Sequence, residues 1–180
     1  MFMSFVNALG LVLCVIGGVL AYLYAGPLHN VYFIWAVFIF TATGVALGGT
    51  NEAFKNLVIC GICGVVLAWI AAMILVNTLG TIGAALTPPV WIGIVVGVTT
   101  GCLAWSANIK LFPAIPATVI GYAATFGYLL QTPGEMTPAV LTSLSFANPL
   151  VVLSISFIIA APFGIVSLML AKKLSAAAAA

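Results

Sequence analysis

The chain alternates long apolar runs with short clusters of glycine, proline and polar residues. About 20 apolar residues in a helix cover roughly 30 Å of hydrocarbon. Six stretches approach that length: Phe2 to Tyr24, Val31 to Leu47, Leu57 to Val76, Pro89 to Ser106, Pro116 to Leu130 and Asn148 to Leu170. Each predicts a membrane-crossing helix. The breaks between them carry turn chemistry: Gly26-Pro27, Gly48-Gly49, Gly80 through Pro89, the Pro113 and Pro116 pair, and Pro133-Gly134. The pattern predicts an all-α polytopic membrane protein with six transmembrane helices in a single membrane domain, residues 1–175. The alanine run Ala176 to Ala180 has no periodicity and is set aside as a candidate artefact.

Composition excludes whole classes of function. Of 180 residues, 65% are hydrophobic and 3% charged, where soluble domains carry about a quarter charged. Six crossings use about 120 residues, which leaves no room for a soluble catalytic or nucleic-acid-binding domain. The charged inventory is four lysines and two glutamates, beside one histidine. Counting connections alternately, the N-terminus, Lys55, Lys110, Lys172 and Lys173 share one side, and the other side has no lysine. By the positive-inside rule both termini are cytoplasmic and the number of crossings is even. The first run lacks the basic start of a secretory signal and exceeds its usual core length. Leu11-Val12-Leu13-Cys14 fits a lipoprotein box poorly, since a bulky leucine precedes the cysteine. The first helix is therefore expected to be retained.

The chain also resembles itself. A slide of 83 positions lays Gly10 to Tyr22 over Gly93 to Trp105, with identities at Gly10/Gly93, Val12/Val95, Val15/Val98, Gly18/Gly101, Leu20/Leu103 and Ala21/Ala104. Composition alone gives roughly one identity in such a window. At a slide of 81 the second helix lies on the fifth, with Ala36/Ala117, Ile39/Ile120 and Ala42/Ala123 coinciding. Repeat one then spans about residues 2–76 and repeat two about 89–170. Each unit has three helices, and an odd number of crossings forces the second to insert upside down, as a 3+3 inverted repeat.

In lipid, helices adhere through small residues and side-chain hydrogen bonds. Gly93, Gly97 and Gly101 stand four apart on the fourth helix, and Gly10 and Gly18 take matching places on the first. These two helices are expected to touch near the axis; the alternative is contact between protomers of a homo-oligomer. Cys60 and Cys63 form a CxxC within a span, and with no histidine or acid nearby the spacing points away from a metal or redox site. Cys14 and Cys102 read as small packing residues.

Candidate chemistry is sparse. No serine–histidine pair, aspartate pair or HExxH helix occurs, so no catalytic residue, enzyme activity or cofactor is expected. His29 lies at the outer interface, and Glu52 and Glu135 fall in connections on opposite sides. No ionisable residue sits inside a span. Ion-coupled carriers usually retain one, at about 3 kcal/mol or more to insert. Passage of a small neutral solute is therefore favoured. On the fifth helix Thr118, Tyr122 and Thr125 stack three hydroxyls on one face, and Thr41 occupies the matching face of the second. This stripe is a candidate path with Trp35 and Phe126 as apolar constrictions, or else an adhesion seam.

The connection Gln131 to Ala147 contains an apolar segment, Pro138 to Phe146, only about 13 Å long as a helix. Thr137-Pro138 and Asn148-Pro149 both read as an N-cap followed by proline at the first helical position. A re-entrant or interfacial half-helix is expected there. Pro162 is expected to kink the sixth helix, and Trp91 to anchor its helix at the interface.

The stretch Leu111-Phe112-Pro113, Pro116, Gly121 and Ala124-Thr125-Phe126-Gly127, with Gly48-Gly49, Lys55 and Trp69, resembles the family grouped as domain of unknown function 1097. The similarity covers about residues 8–170, and the chain departs from it in its longer Gln131 to Ala147 connection. The resemblance implies a small multi-helix protein of the bacterial inner membrane and supplies no activity. Taken together, the sequence reads as a channel or facilitator for a small uncharged solute such as urea, an amide, ammonia or a short alcohol. The alternative is a non-transporting subunit that anchors a partner complex.

Overall fold

The computed structural model describes residues 3–177. The predicted helix start at Phe2 and residues 178–180 of the alanine run lie outside them. The described residues form eight helices: α1 (Phe5–Ala25), α2 (Ile34–Ala46), α3 (Asn51–Thr78), α4 (Ile82–Leu86), α5 (Pro88–Ser106), α6 (Ile115–Gln131), α7 (Pro138–Leu141) and α8 (Pro149–Ala177). Four of them, α1, α3, α5 and α8, are long and apolar enough to cross a membrane. The second and fifth predicted helices form as α2 and α6, with 13 and 17 residues, or about 20 and 26 Å of helix.

Local chemistry explains where the elements begin. α1 starts after Ser4, whose side chain accepts from the Asn7 amide at 3.2 Å. α3 begins six residues earlier than apolarity alone suggests. Thr50 caps it by accepting from the Ala53 amide at 3.1 Å, and Glu52 lies in its first turn, where the helix dipole favours a negative charge. α2 begins later than predicted, because the residues before it are held extended. The Tyr32 hydroxyl donates to the Leu20 carbonyl at 2.7 Å, and the Phe33 amide donates to Ser156 Oγ at 3.0 Å. Ser156 thus satisfies the Phe33 amide, which a further helical turn would otherwise have satisfied. At the start of α5, Trp91 Nε1 donates to Thr78 Oγ1 at 2.8 Å and fastens it to the end of α3.

The expected half-helix at Pro138 to Phe146 shrinks to the single turn α7. Its cap is as predicted, with Thr137 accepting from Val140, but the segment is tied down by side chains rather than by helical bonds. Trp69 Nε1 donates to the Leu141 carbonyl at 2.8 Å. Asn148 Nδ2 donates to the carbonyls of Leu141 and Ser143 at 3.0 and 2.7 Å, while its Oδ1 caps α8 at the Leu150 amide. α8 continues as a helix through Pro162.

α3 and α8 form the centre. α6 packs on α3, α2 packs on α8, and α1 and α5 flank α8 and α3 respectively. Phe40 and Phe157, both fully buried, stack with ring centroids 3.5 Å apart. The glycines that matter for this packing lie on the inner helices. A methyl at Gly64 would overlap the Thr118 carbonyl, and one at Gly121 would overlap the Gly61 carbonyl, so α3 and α6 approach backbone to backbone. A methyl at Gly61 would strike the Phe157 ring, and one at Gly164 would strike the Phe54 ring.

The expected contact between the first and fourth predicted helices, α1 and α5, is corrected. They lie on opposite flanks and do not pack extensively on each other. A methyl at Gly10, Gly18, Gly93 or Gly97 would meet no heavy atom within 4 Å, and one at Gly101 would meet only Trp105 of its own helix. The physical reason is that α3 and α8 take the central positions. Their Gly61, Gly64 and Gly164 accept a neighbouring backbone or ring.

Candidate functional site

A cavity of about 620 Å³ with a partly polar lining opens at the end of the bundle that carries the α1–α2 and α6–α8 connections. Four segments build its wall. The end of α1 contributes Tyr24, and the following turn contributes His29 and Asn30. Asn30 takes the left-handed conformation (φ +66°) that asparagine tolerates better than most residues. The extended approach to α2 contributes Phe33, and its first turn contributes Trp35. The end of α6 gives Tyr128 and Thr132, and the next connection gives Glu135, Phe146 and Ala147.

The wall is held by aromatic contacts. Tyr24 lies 5.8 Å from both His29 and Tyr32, Phe33 stacks on Trp35 at 5.8 Å, and Phe33 meets Tyr128 at 4.9 Å. The Tyr128 hydroxyl donates to the Ala147 carbonyl at 3.0 Å, which closes the side made by the long connection. Glu135 is half-buried, and its Oε2 is buried with no hydrogen-bond partner among the described residues. The buried Phe40 and Phe157 belong to the same apolar core as Tyr32 and are partly packed against by Phe33.

The sequence-predicted path residues are not gathered around this cavity. Trp35 lines it, but Thr118 and Thr125 are fully buried and donate to carbonyls of their own helix, Ala114 at 3.3 Å and Gly121 at 2.9 Å. Tyr122 bonds Thr99 of α5 at 2.7 Å, and Thr41 donates to the Ala160 carbonyl of α8 at 3.1 Å. Every hydroxyl on the stripe has a partner, within its own helix for Thr118 and Thr125 and on a neighbouring helix for Tyr122 and Thr41. Phe126 packs against Tyr122 at 5.1 Å and faces an apolar crevice of about 550 Å³ between α3, α5 and α6. A second apolar crevice, about 330 Å³, lies between α1, α2 and α8 and holds the buried, unpartnered Ser167 Oγ. Cys60 Sγ accepts from the Ala114 amide at 3.4 Å, a packing role at the α3–α6 seam.

Sequence reading treated His29 and Glu135 as separate loop residues and passed over Tyr24, Phe33, Tyr128 and Phe146. A signal was present. Alternate counting puts both connections on one side, and aromatic residues flank each of them.

The profile of the family described as protein of unknown function (DUF1097) matches residues 10–172. The chain belongs to that family. The match takes in all of α2 to α7 and most of α1 and α8, so the cavity of this DUF1097 protein lies wholly within the shared region. No curated protein and no solved structure matches the chain.

Proposed function

We propose that this DUF1097 protein is a six-crossing facilitator of the bacterial inner membrane, built as a 3+3 inverted repeat with both termini cytoplasmic. It passes a small uncharged solute of the urea, amide, ammonia or short-alcohol type, without catalysis or cofactor. The observation that carries this reading is the 620 Å³ vestibule, which is polar at its mouth and sits above a packed floor with no charged group. A neutral species avoids the desolvation cost that stops an ion at such a floor.

Several observations support the repeat. At a slide of 81, all five buried residues of α2 fall on buried residues of α6: Ala36, Val37, Phe40, Thr41 and Gly44 on Ala117, Thr118, Gly121, Tyr122 and Thr125. At 83, the buried Val12 and Leu20 of α1 fall on the buried Val95 and Leu103 of α5. Leu9, Leu13, Thr41, Ala42 and Val45 of one apolar crevice fall on Ile92, Val96, Tyr122, Ala123 and Phe126 of the other. Phe54 and Gly61 stand 103 positions before Phe157 and Gly164, and each phenylalanine seats on the glycine of the opposite helix. A two-fold axis exchanging α3 with α8 accounts for all four.

Homo-oligomerisation through the open glycine faces of α1 and α5 accompanies this reading. The fully partnered hydroxyl stripe favours a second one, a non-transporting subunit that anchors a partner complex. Stopped-flow light scattering on proteoliposomes, with urea, acetamide and glycerol in turn, separates the two. Acceleration over empty vesicles for at least one solute is expected. No acceleration for any of them overturns the facilitator and leaves the anchoring subunit.

A further inference from the structure

We infer that the vestibule is a binding site for a small organic ammonium ion, held by the Glu135 carboxylate within a box of aromatic rings. A buried carboxylate oxygen with no hydrogen bond is costly, more so than a neutral acceptor; among the described residues Glu135 Oε2 is in that position, while the Tyr128 hydroxyl beside the carboxylate donates to the Ala147 carbonyl. His29 shares the wall but makes no hydrogen bond to that oxygen, and no lysine is near. Lys172 and Lys173 lie near the far end of α8, more than 20 residues from Ala147 at the vestibule, which is over 30 Å of helix. Lys55 lies in the first turns of α3 and Lys110 precedes α6, whereas the vestibule uses the last turn of α6. With no lysine near and His29 not bonded to it, the carboxylate oxygen is open to a cation from outside the chain.

The walls specify which kind of cation. Phe33, Trp35 and Tyr128 all line the cavity; Phe33 stacks on Trp35 at 16° and meets Tyr128 at 42°. Aromatic faces attract a positive charge that is weakly hydrated and spread over alkyl groups, and they do so most strongly where water is partly excluded. A metal ion would instead need several converging oxygen or nitrogen ligands. A cavity of about 620 Å³ admits an alkylammonium ion with room to spare. The ion goes no further, since nothing charged lies in the floor below it. The site shares the vestibule with the neutral path proposed above, but binding there does not depend on conduction.

Isothermal titration calorimetry of the purified full-length protein in detergent tests the inference, with tetramethylammonium chloride as the probe. Tert-butanol serves as the uncharged analogue and sodium chloride as the ionic control. Saturable binding of tetramethylammonium is expected, with neither control reproducing it. Glu135→Gln, which keeps the shape and removes the charge, and Trp35→Leu are each expected to weaken binding about tenfold. Glu52→Gln, a carboxylate in the first turn of α3, is expected to leave it unchanged. Absence of saturable binding overturns the inference. So does tert-butanol binding as tightly, or Glu135→Gln binding like the parent while circular dichroism reports an intact fold. Stopped-flow flux of neutral solutes is a separate measurement, so either conclusion can fail alone.

Discussion

Two glycine-to-alanine changes in long apolar helices should have opposite effects. Alanine is a better helix former than glycine by about 1 kcal/mol. At Gly97 the added methyl meets nothing within 4 Å, so Gly97→Ala should be neutral or stabilising by up to about 1 kcal/mol. At Gly64 the same methyl would overlap the Thr118 carbonyl oxygen and come within 2.8 Å of its carbon and 2.9 Å of the Tyr122 nitrogen. These are backbone atoms of a packed helix and cannot rotate away. Relief requires α6 to move off α3. Each displaced carbon pair then loses a quarter to a half of its roughly 0.1–0.2 kcal/mol, and roughly 20 such pairs along the seam lose about 0.5–2 kcal/mol together. The short Cys60 and Ala114 contact at the same seam is disturbed as well. With the overpacking strain usually seen in cores, Gly64→Ala should destabilise by about 1–3 kcal/mol net. SDS-titration unfolding in mixed micelles, followed by circular dichroism, measures both variants. If Gly64→Ala unfolds within about 0.5 kcal/mol of Gly97→Ala, the close approach of α3 and α6 is wrong.

Tyr122→Phe removes a buried hydroxyl bond between α6 and α5 and should cost about 0.5–1.5 kcal/mol in the same titration. Thr125→Val, whose hydroxyl serves only its own helix, should stay within about 0.5 kcal/mol of the parent and leave solute flux unaltered. Asn148→Ala strips two carbonyl partners and the cap of α8, about 2 kcal/mol together, and limited proteolysis should then cut between residues 132 and 147. If protomers meet through α5, Gly97→Leu should lower the mass measured by light scattering in mild detergent without lowering protomer stability.

Much of this protein is written in local sequence. The apolar runs and the Gly-Pro, Gly-Gly and Pro-Gly breaks place all six main helices, because helix formation in lipid depends chiefly on keeping about 20 residues apolar. The caps Thr137 and Asn148 were legible for the same reason: a cap bonds amides two or three residues away. The late start of α2 was not, since it depends on Ser156, distant in sequence. The hydroxyls of Thr118, Tyr122 and Thr125 could be placed on one face, but whether they met solvent, a neighbour or their own helix depended on where α5 lay.

Sequence by itself determined where the main helices lie along the chain and how few charges they carry, both of which depend on neighbours along the chain or on composition. Tertiary structure alone decided which glycines are indispensable. A glycine stripe on α5 and the Gly61–Gly64 pair on α3 look alike in one dimension, yet only the latter faces a neighbouring helix, Gly61 the Phe157 ring and Gly64 the Thr118 backbone. It also brought Glu135 and His29, 106 residues apart, to one aromatic-walled cavity. Such a juxtaposition follows from the packing of whole helices, whose axes are set by side chains that are far apart in the chain.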